Sequence, residues 1–126
     1  MTGTDTPTVA FLESYGQAWN EHDVDRIMAA MTDDCIFLTG GGETPWGTRH
    51  EGAAEVRARF EEVWRDIPDV RFDDARHFVA GDRGCSEWTL RGTRTDGKAV
   101  EVSGCDLFTF RDGKIWIKDS YLKIRR

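Results

Sequence analysis

Apolar residues recur at three- and four-residue steps through "TVAFLESYGQAWNEH", where Phe11, Leu12, Tyr15, Ala18 and Trp19 fall on one stripe. That spacing predicts an amphipathic helix over about 7–20. After Asp23, a residue type that caps helix starts, Val24, Ile27, Met28 and Met31 mark a short second helix packed on the first. "DDCIFL" then reads as a strand, whereas "TGGGETPWGT" holds too much glycine for regular structure and is expected to be a mobile loop placed to cover a pocket mouth. The clearest helix covers about 52–66, with Val56, Phe60, Val63, Trp64 and Ile67 on one face until Pro68 stops it.

The second half changes period. "DVRFDDARHFVA", "CSEWTLRGTRT" and "KAVEVSGCDLFTF" alternate in side-chain type, are separated by the turns "GDRG" and "TDGK", and lead through "RDGK" into "IWIKDSYLKI". This is an antiparallel meander, with a bulge expected where "FDDA" breaks the alternation. Helices first and a twisted sheet last predict an α+β fold. Its sheet is a curved, cone-shaped antiparallel one, with three helices from the N-terminal half on its concave side enclosing a pocket. One domain over residues 8–126 accounts for the pattern, after a flexible tail over 1–7.

Five Trp and seven Phe are enough to fill a core and still line a cavity. With 17 basic against 23 acidic side chains the net charge is −6, and no basic run precedes the terminal "KIRR", so nucleic acid and anionic membrane are poor partners. Cys35, Cys85 and Cys105 form no paired motif and read as reduced core thiols. Neither a signal peptide nor a membrane span is recognisable, and a cytoplasmic protein is expected. No His/Asp/Glu cluster has metal-ligand spacing, and no glycine run has the strand-to-helix setting of a phosphate loop, so no cofactor is implied.

Asp106 raises the sharpest question. It lies in "GCDLFTFRDGKI" on the face it shares with Val102, Phe108 and Phe110, where aspartate is disfavoured. A carboxyl drawn from water must find a partner, stay protonated or take part in chemistry. If "FRDGK" closes as a type I turn with a bulge at Gly113, Lys118 falls opposite Asp106; a two-residue turn puts Asp119 there. The first case gives an ion pair, the second two carboxyls sharing a site.

The order of elements, "SYGQAWNEHDVDRIMAAMTDDCIF" and the "GCDLFTFRDGKI" hairpin resemble the SnoaL-like branch of the nuclear transport factor 2-like superfamily, which includes ketosteroid isomerase and polyketide cyclases as well as proteins that only bind partners. The resemblance covers nearly the whole chain. It implies a role for two residues: Tyr15 matches the phenol of the isomerase's oxyanion hole, and Asp106 its protonated aspartic acid. The position matching the general base is Thr39, which cannot take a proton from carbon at neutral pH.

In such a fold Trp19, Phe37, Thr39, Trp46, Trp88, Phe108 and Lys118 are expected to wall the pocket around Asp106 and Tyr15. Each aromatic has the alternative of serving only as core. Glu43, His50 and Glu51, or an inward-pointing His77, are candidates for a replacement base; His22 reads as a helix-boundary residue and Glu87 as facing away from Trp88. The function expected is cofactor-independent proton transfer on a small, apolar, cyclic or carbonyl-bearing metabolite: isomerisation, cyclisation or dehydration. The alternatives are a non-catalytic binding domain and an epoxide hydrolase-like water addition, which would need a second carboxylate near Asp106. A homodimer through the outer sheet face is expected, with Leu90, Val100 and Leu107 as its apolar contacts.

Overall fold

The computed structural model of the chain describes residues 6–126; of the tail expected over 1–7, residues 1–5 lie outside the described residues. The elements follow in the order α1 (Val9–Asn20), α2 (Val24–Ala29), β1 (Met31–Leu38), β2 (Arg49–Glu51), α3 (Ala53–Asp66), β3 (Arg71–Ala80), β4 (Arg83–Thr93), β5 (Ala99–Arg111) and β6 (Lys114–Leu122). They build an α+β fold with a six-stranded sheet in the order β2-β1-β6-β5-β4-β3.

Local chemistry sets the helix starts. The Thr8 hydroxyl accepts from the Phe11 N–H at 3.2 Å at the head of α1, and the Asp23 carboxylate from the Arg26 N–H at 3.1 Å at the head of α2. α1 buries Leu12, Tyr15, Ala18 and Trp19 along the expected stripe. α2 stops short of Met31, because Met31 opens β1 and pairs in parallel with Ile115 of β6. Among the described residues that parallel pair is the one departure from an antiparallel sheet. β1 enters from the helical half of the chain and lies along the last strand of the meander. β2, a three-residue strand paired with Ile36–Leu38, had no period to announce it.

The meander is antiparallel throughout, and its register breaks between Asp73 and Arg76, with Asp74 in the left-handed region at φ 58°, where "FDDA" predicts a bulge. Asp112 and Gly113, at φ 55° and 74°, form a two-residue turn, so Arg111 pairs with Lys114. A second break follows at once: Phe110 pairs with Ile115 but Thr109 with Ile117, leaving Trp116 as an extra residue in β6.

The core lies between the helices and the inner sheet face, where Leu12, Ile27, Val56, Phe60, Phe108 and Ile115 are almost fully enclosed. Removing the Phe60 ring would cost about 3–5 kcal/mol. Leu90 and Val100 belong to this inner face and not, as expected, to the outer one: the two-residue period places them with Trp88 and Asp106 on the cavity wall. Leu107 does face outward, between Cys85 and Asp119 and close to exposed Phe78 and Tyr121. Cys85, which is buried as expected, and half-buried Cys105 therefore lie on the outer side of the sheet, and of the three thiols only Cys35 lies in the main core. Among the described residues no helix is long and apolar enough to cross a membrane.

Candidate active site

The Trp116 bulge decides what surrounds Asp106. The two-residue turn alone would place Asp119 across from it; the extra residue moves the register by one, so Ser120 stands opposite Asp106 and Lys118 opposite Phe108. Lys118 then reaches Asp106 on the diagonal. Neither simple turn predicts this pairing, although Lys118 is one of the two partners expected.

Three donors converge on the Asp106 carboxyl. Oδ2 accepts from the Lys118 ammonium at 2.8 Å and the Trp88 indole N–H at 3.0 Å, and Oδ1 from the Ser120 hydroxyl at 2.5 Å. A carboxylate accepts all three, and the ammonium at 2.8 Å makes the contact an ion pair. The protonated donor implied by the resemblance is replaced by an ion pair, with side chains 6–7% exposed. Gly104 makes the Trp88 contact feasible. A Cβ there would lie 2.3 Å from the Tyr121 carbonyl and 3.0 Å from the Trp88 ring, so only glycine lets the indole lie across β5.

The Lys118 ammonium is also ringed by aromatics. Trp19, Tyr15, Phe108, Phe37 and Phe60 place their ring centres 5.3–6.0 Å from Nζ, a distance at which ring quadrupoles stabilise a cation. Of its three N–H donors only one has an acceptor among the described residues, Asp106 Oδ2.

Two cavities meet at this pair. One, of about 290 Å³, is lined at its mouth by Glu13, Gln17 and Asn20 and deeper by Tyr15, His77 and Ser86. The other, of about 240 Å³, is more apolar, with Phe37, Val63, Leu90, Val100 and Val102 in its wall and Thr39 at its edge. Trp19, Phe72, Trp88, Asp106 and Lys118 belong to both. Phe72 stands edge-on to Trp19 and to Trp88, with centroids 5.6 and 4.9 Å apart, and divides the space.

Of the expected site residues, Trp19, Phe37, Thr39, Trp88, Phe108, Lys118, Tyr15 and Asp106 all line one or both cavities. Trp46 does not. It is 53% exposed on the glycine-rich loop, where a Thr44–Gly47 bridge closes the turn and carries the indole away from the cavities. Thr39 clamps that loop, donating to the Gly41 carbonyl at 2.6 Å and accepting from the Thr48 N–H at 2.9 Å. The Tyr15 hydroxyl meets Met31 Sδ at 3.5 Å and not Asp106. Burial pushes this phenol far above its ordinary value; the Trp19 indole opposes the shift, and the Asp106 charge adds to it.

Among the candidate replacement bases, Glu43 is exposed and Glu51 and His50 engage the start of α3 through Glu55. None lines either cavity. His22 stacks on Trp64 and reaches the Val70 carbonyl at 2.9 Å, and Glu87 pairs with Arg76 on the outer face at 3.1 Å. His77 alone points inward. Its Nδ1 lies 2.7 Å from Ser86 Oγ. Ser86, Ser120 and Phe72 carry no signal of their own in the sequence; same-face alternation from Asp106 indicates the two serines only once the register is known. Among the described residues no cluster could hold a metal ion.

This cone, with a charged pair at its centre and aromatic walls, is that of a known class. The SnoaL-like domain family matches residues 12–117, and the chain belongs to that family. No curated protein matches the chain significantly. Among solved structures, a provisionally named polyketide cyclase from Pseudomonas putida KT2440 is 21% identical, with 95% of this chain and 94% of that one covered and a TM-score of 0.83. TerC co-crystallised with polyporic acid is 20% identical over 89% and 88%, TM-score 0.75. A hypothetical protein with a ketosteroid isomerase-like fold from Catenulispora acidiphila DSM 44928, in complex with trimethylamine, is 16% identical over 93% and 86%, TM-score 0.77. At these identities the likeness concerns the fold.

Proposed function

We propose that the protein is a cofactor-independent enzyme that moves a proton on a small, largely apolar ring compound bearing a carbonyl, in an isomerisation, cyclisation or dehydration. One observation carries this reading: a buried ammonium, fixed by Asp106, keeps two N–H donors without an acceptor among the described residues, at the junction of two aromatic-lined cavities. A substrate oxygen is the acceptor that such donors lack. Negative charge gathering on that oxygen would be stabilised most strongly where water is excluded and the donor is already oriented. Stability alone does not call for the pair, since two well-packed apolar side chains would serve about as well.

Tyr15 supplies a second donor. A thioether is a weak acceptor, so the phenol loses little by turning from Met31 to a substrate oxygen. The relatives named as polyketide cyclases, and the one crystallised with polyporic acid, fit an apolar cyclic ligand. Thr39 in place of a base favours the second reading, a domain that holds such a ligand without changing it. Water addition would need a second carboxylate beside Asp106; the other acids lining the two cavities are Glu13, at the mouth of the first, and Asp66, in the wall of the second, and neither is hydrogen-bonded to the Asp106 site among the described residues.

The test uses 2-tetralone, a bicyclic ketone with acidic hydrogens beside its carbonyl, in deuterium oxide. Deuterium entering C1 faster than in buffer supports proton transfer. Binding of 2-naphthol, read from tryptophan fluorescence, together with exchange at the buffer rate across a panel of cyclic ketones, would leave the ligand-holding domain instead.

A further inference from the structure

We propose that His77 is the base that takes the substrate's proton and that Ser86 is its positioning residue. The assignment rests on the proton-transfer reading above. It fills the position left empty at Thr39 from the other side of the cone.

The geometry follows from register. His77 pairs with Ser86, Ser86 with Asp106 and Asp106 with Ser120, so four inward side chains form one row across β3, β4, β5 and β6. His77 and Ser86 line the same cavity as Asp106, Lys118 and Tyr15. Ser86 Oγ lies 2.7 Å from Nδ1. When Oγ accepts from Nδ1–H, the tautomer is fixed with the lone pair on Nε2, which has no partner among the described residues. The oxygen donors and the base then stand at different walls of one cavity, as removing a proton from the carbon next to a carbonyl requires.

Other charges do not spoil this role. Glu13 of α1 faces the imidazole, and Asp106 and Lys118 stand deeper in the same cavity, while Arg76 and Glu87 point to the outer face. Burial pushes the imidazole below its ordinary value, with Glu13 opposing, so it is neutral at pH 7 and free to accept.

The step is balanced within the site. The C–H electron pair becomes the new carbon–carbon π bond, the carbonyl π pair moves to the oxygen facing Lys118, and the proton goes to Nε2. Returning that proton to a different carbon completes an isomerisation.

The test follows deuterium entry into 2-tetralone for the wild type, His77→Gln, Ser86→Ala, Ser86→Thr and the double variant Asp106→Leu/Lys118→Met, with 2-naphthol binding measured in each. His77→Gln is expected to lose about a hundredfold in exchange with naphthol binding unchanged. The wild-type rate should rise with pH to a plateau whose half-point lies below 6.5, the ordinary histidine value. Ser86→Ala should slow exchange and move that half-point, and Ser86→Thr should restore both, which a merely structural serine would not do. Wild-type exchange in His77→Gln, with exchange lost in the double variant, overturns the base and leaves the proton-transfer reading standing. Exchange at the buffer rate in the wild type overturns both.

Discussion

Lys118 of β6 stands opposite Phe108 of β5 and reaches Asp106 across the diagonal at 2.8 Å, an arrangement that depends on the extra residue Trp116 in the same strand. With both side chains only 6–7% exposed, a charge left without its partner regains little of its solvation. Asp106→Asn and Lys118→Met should each lower stability by roughly 3–5 kcal/mol, while Asp106→Leu/Lys118→Met should lose less than the two single losses added together, its residual cost coming from the Trp88 N–H and Ser120 O–H left without their acceptor. Urea unfolding of the four proteins measures this. Single variants as stable as the wild type would mean that the pair is solvated.

The Tyr15 hydroxyl spends its hydrogen bond on a thioether. Tyr15→Phe should therefore change stability by less than about 1 kcal/mol. If the phenol turns to the substrate oxygen, deuterium exchange into 2-tetralone should nevertheless fall by about a hundredfold. Equal rates for the two proteins would confine Tyr15 to packing.

Burial lowers the His77 value below 6.5, its ordinary value. The unfolded chain then binds a proton that the folded one resists, so stability is full above about 6.5 and is lost as pH falls through the window between the unfolded and folded values. Thermal melts from pH 7.5 to 5 should show a larger drop for the wild type than for His77→Gln. Parallel curves would place the imidazole in solvent.

The outer sheet face carries Phe78 at 56% and Tyr121 at 52% exposure beside Leu107. We propose that a second copy of the chain covers it, since exposed apolar patches rimmed by charge mark association surfaces. Light scattering at micromolar concentration should give twice the chain mass, and Leu107→Asp should give a monomer with an unchanged circular dichroism spectrum. A monomeric wild type would contradict the pairing.

Periodicity carried most of the fold. The stripe through Leu12, Tyr15 and Trp19, the Pro68 stop and the alternation around Asp106 are each dictated by local geometry, and they appear where they were expected. What escaped is what depends on register. Trp116 is an ordinary strand residue by type, yet inserting it exchanges Asp119 for Lys118 and Ser120 on the inner face. β2 has too few residues to show a period, and its existence rests on pairing with β1. Trp46 lies away from the cavities because the fine closure of a glycine-rich loop is set by contacts such as Thr39 with Thr48, which no pattern encodes. Leu90 and Val100 needed only a consistent count from Trp88 and Asp106.

The central claim is that the Lys118 ammonium, held by Asp106, is the donor on which proton transfer depends. Deuterium entry into 2-tetralone, compared between the wild type and Asp106→Leu/Lys118→Met with a cooperative thermal melt recorded for each, tests it without the confusion of a collapsed core. Exchange reduced to the buffer rate in a double variant that still melts cooperatively is the predicted result; exchange at the wild-type rate would contradict the account.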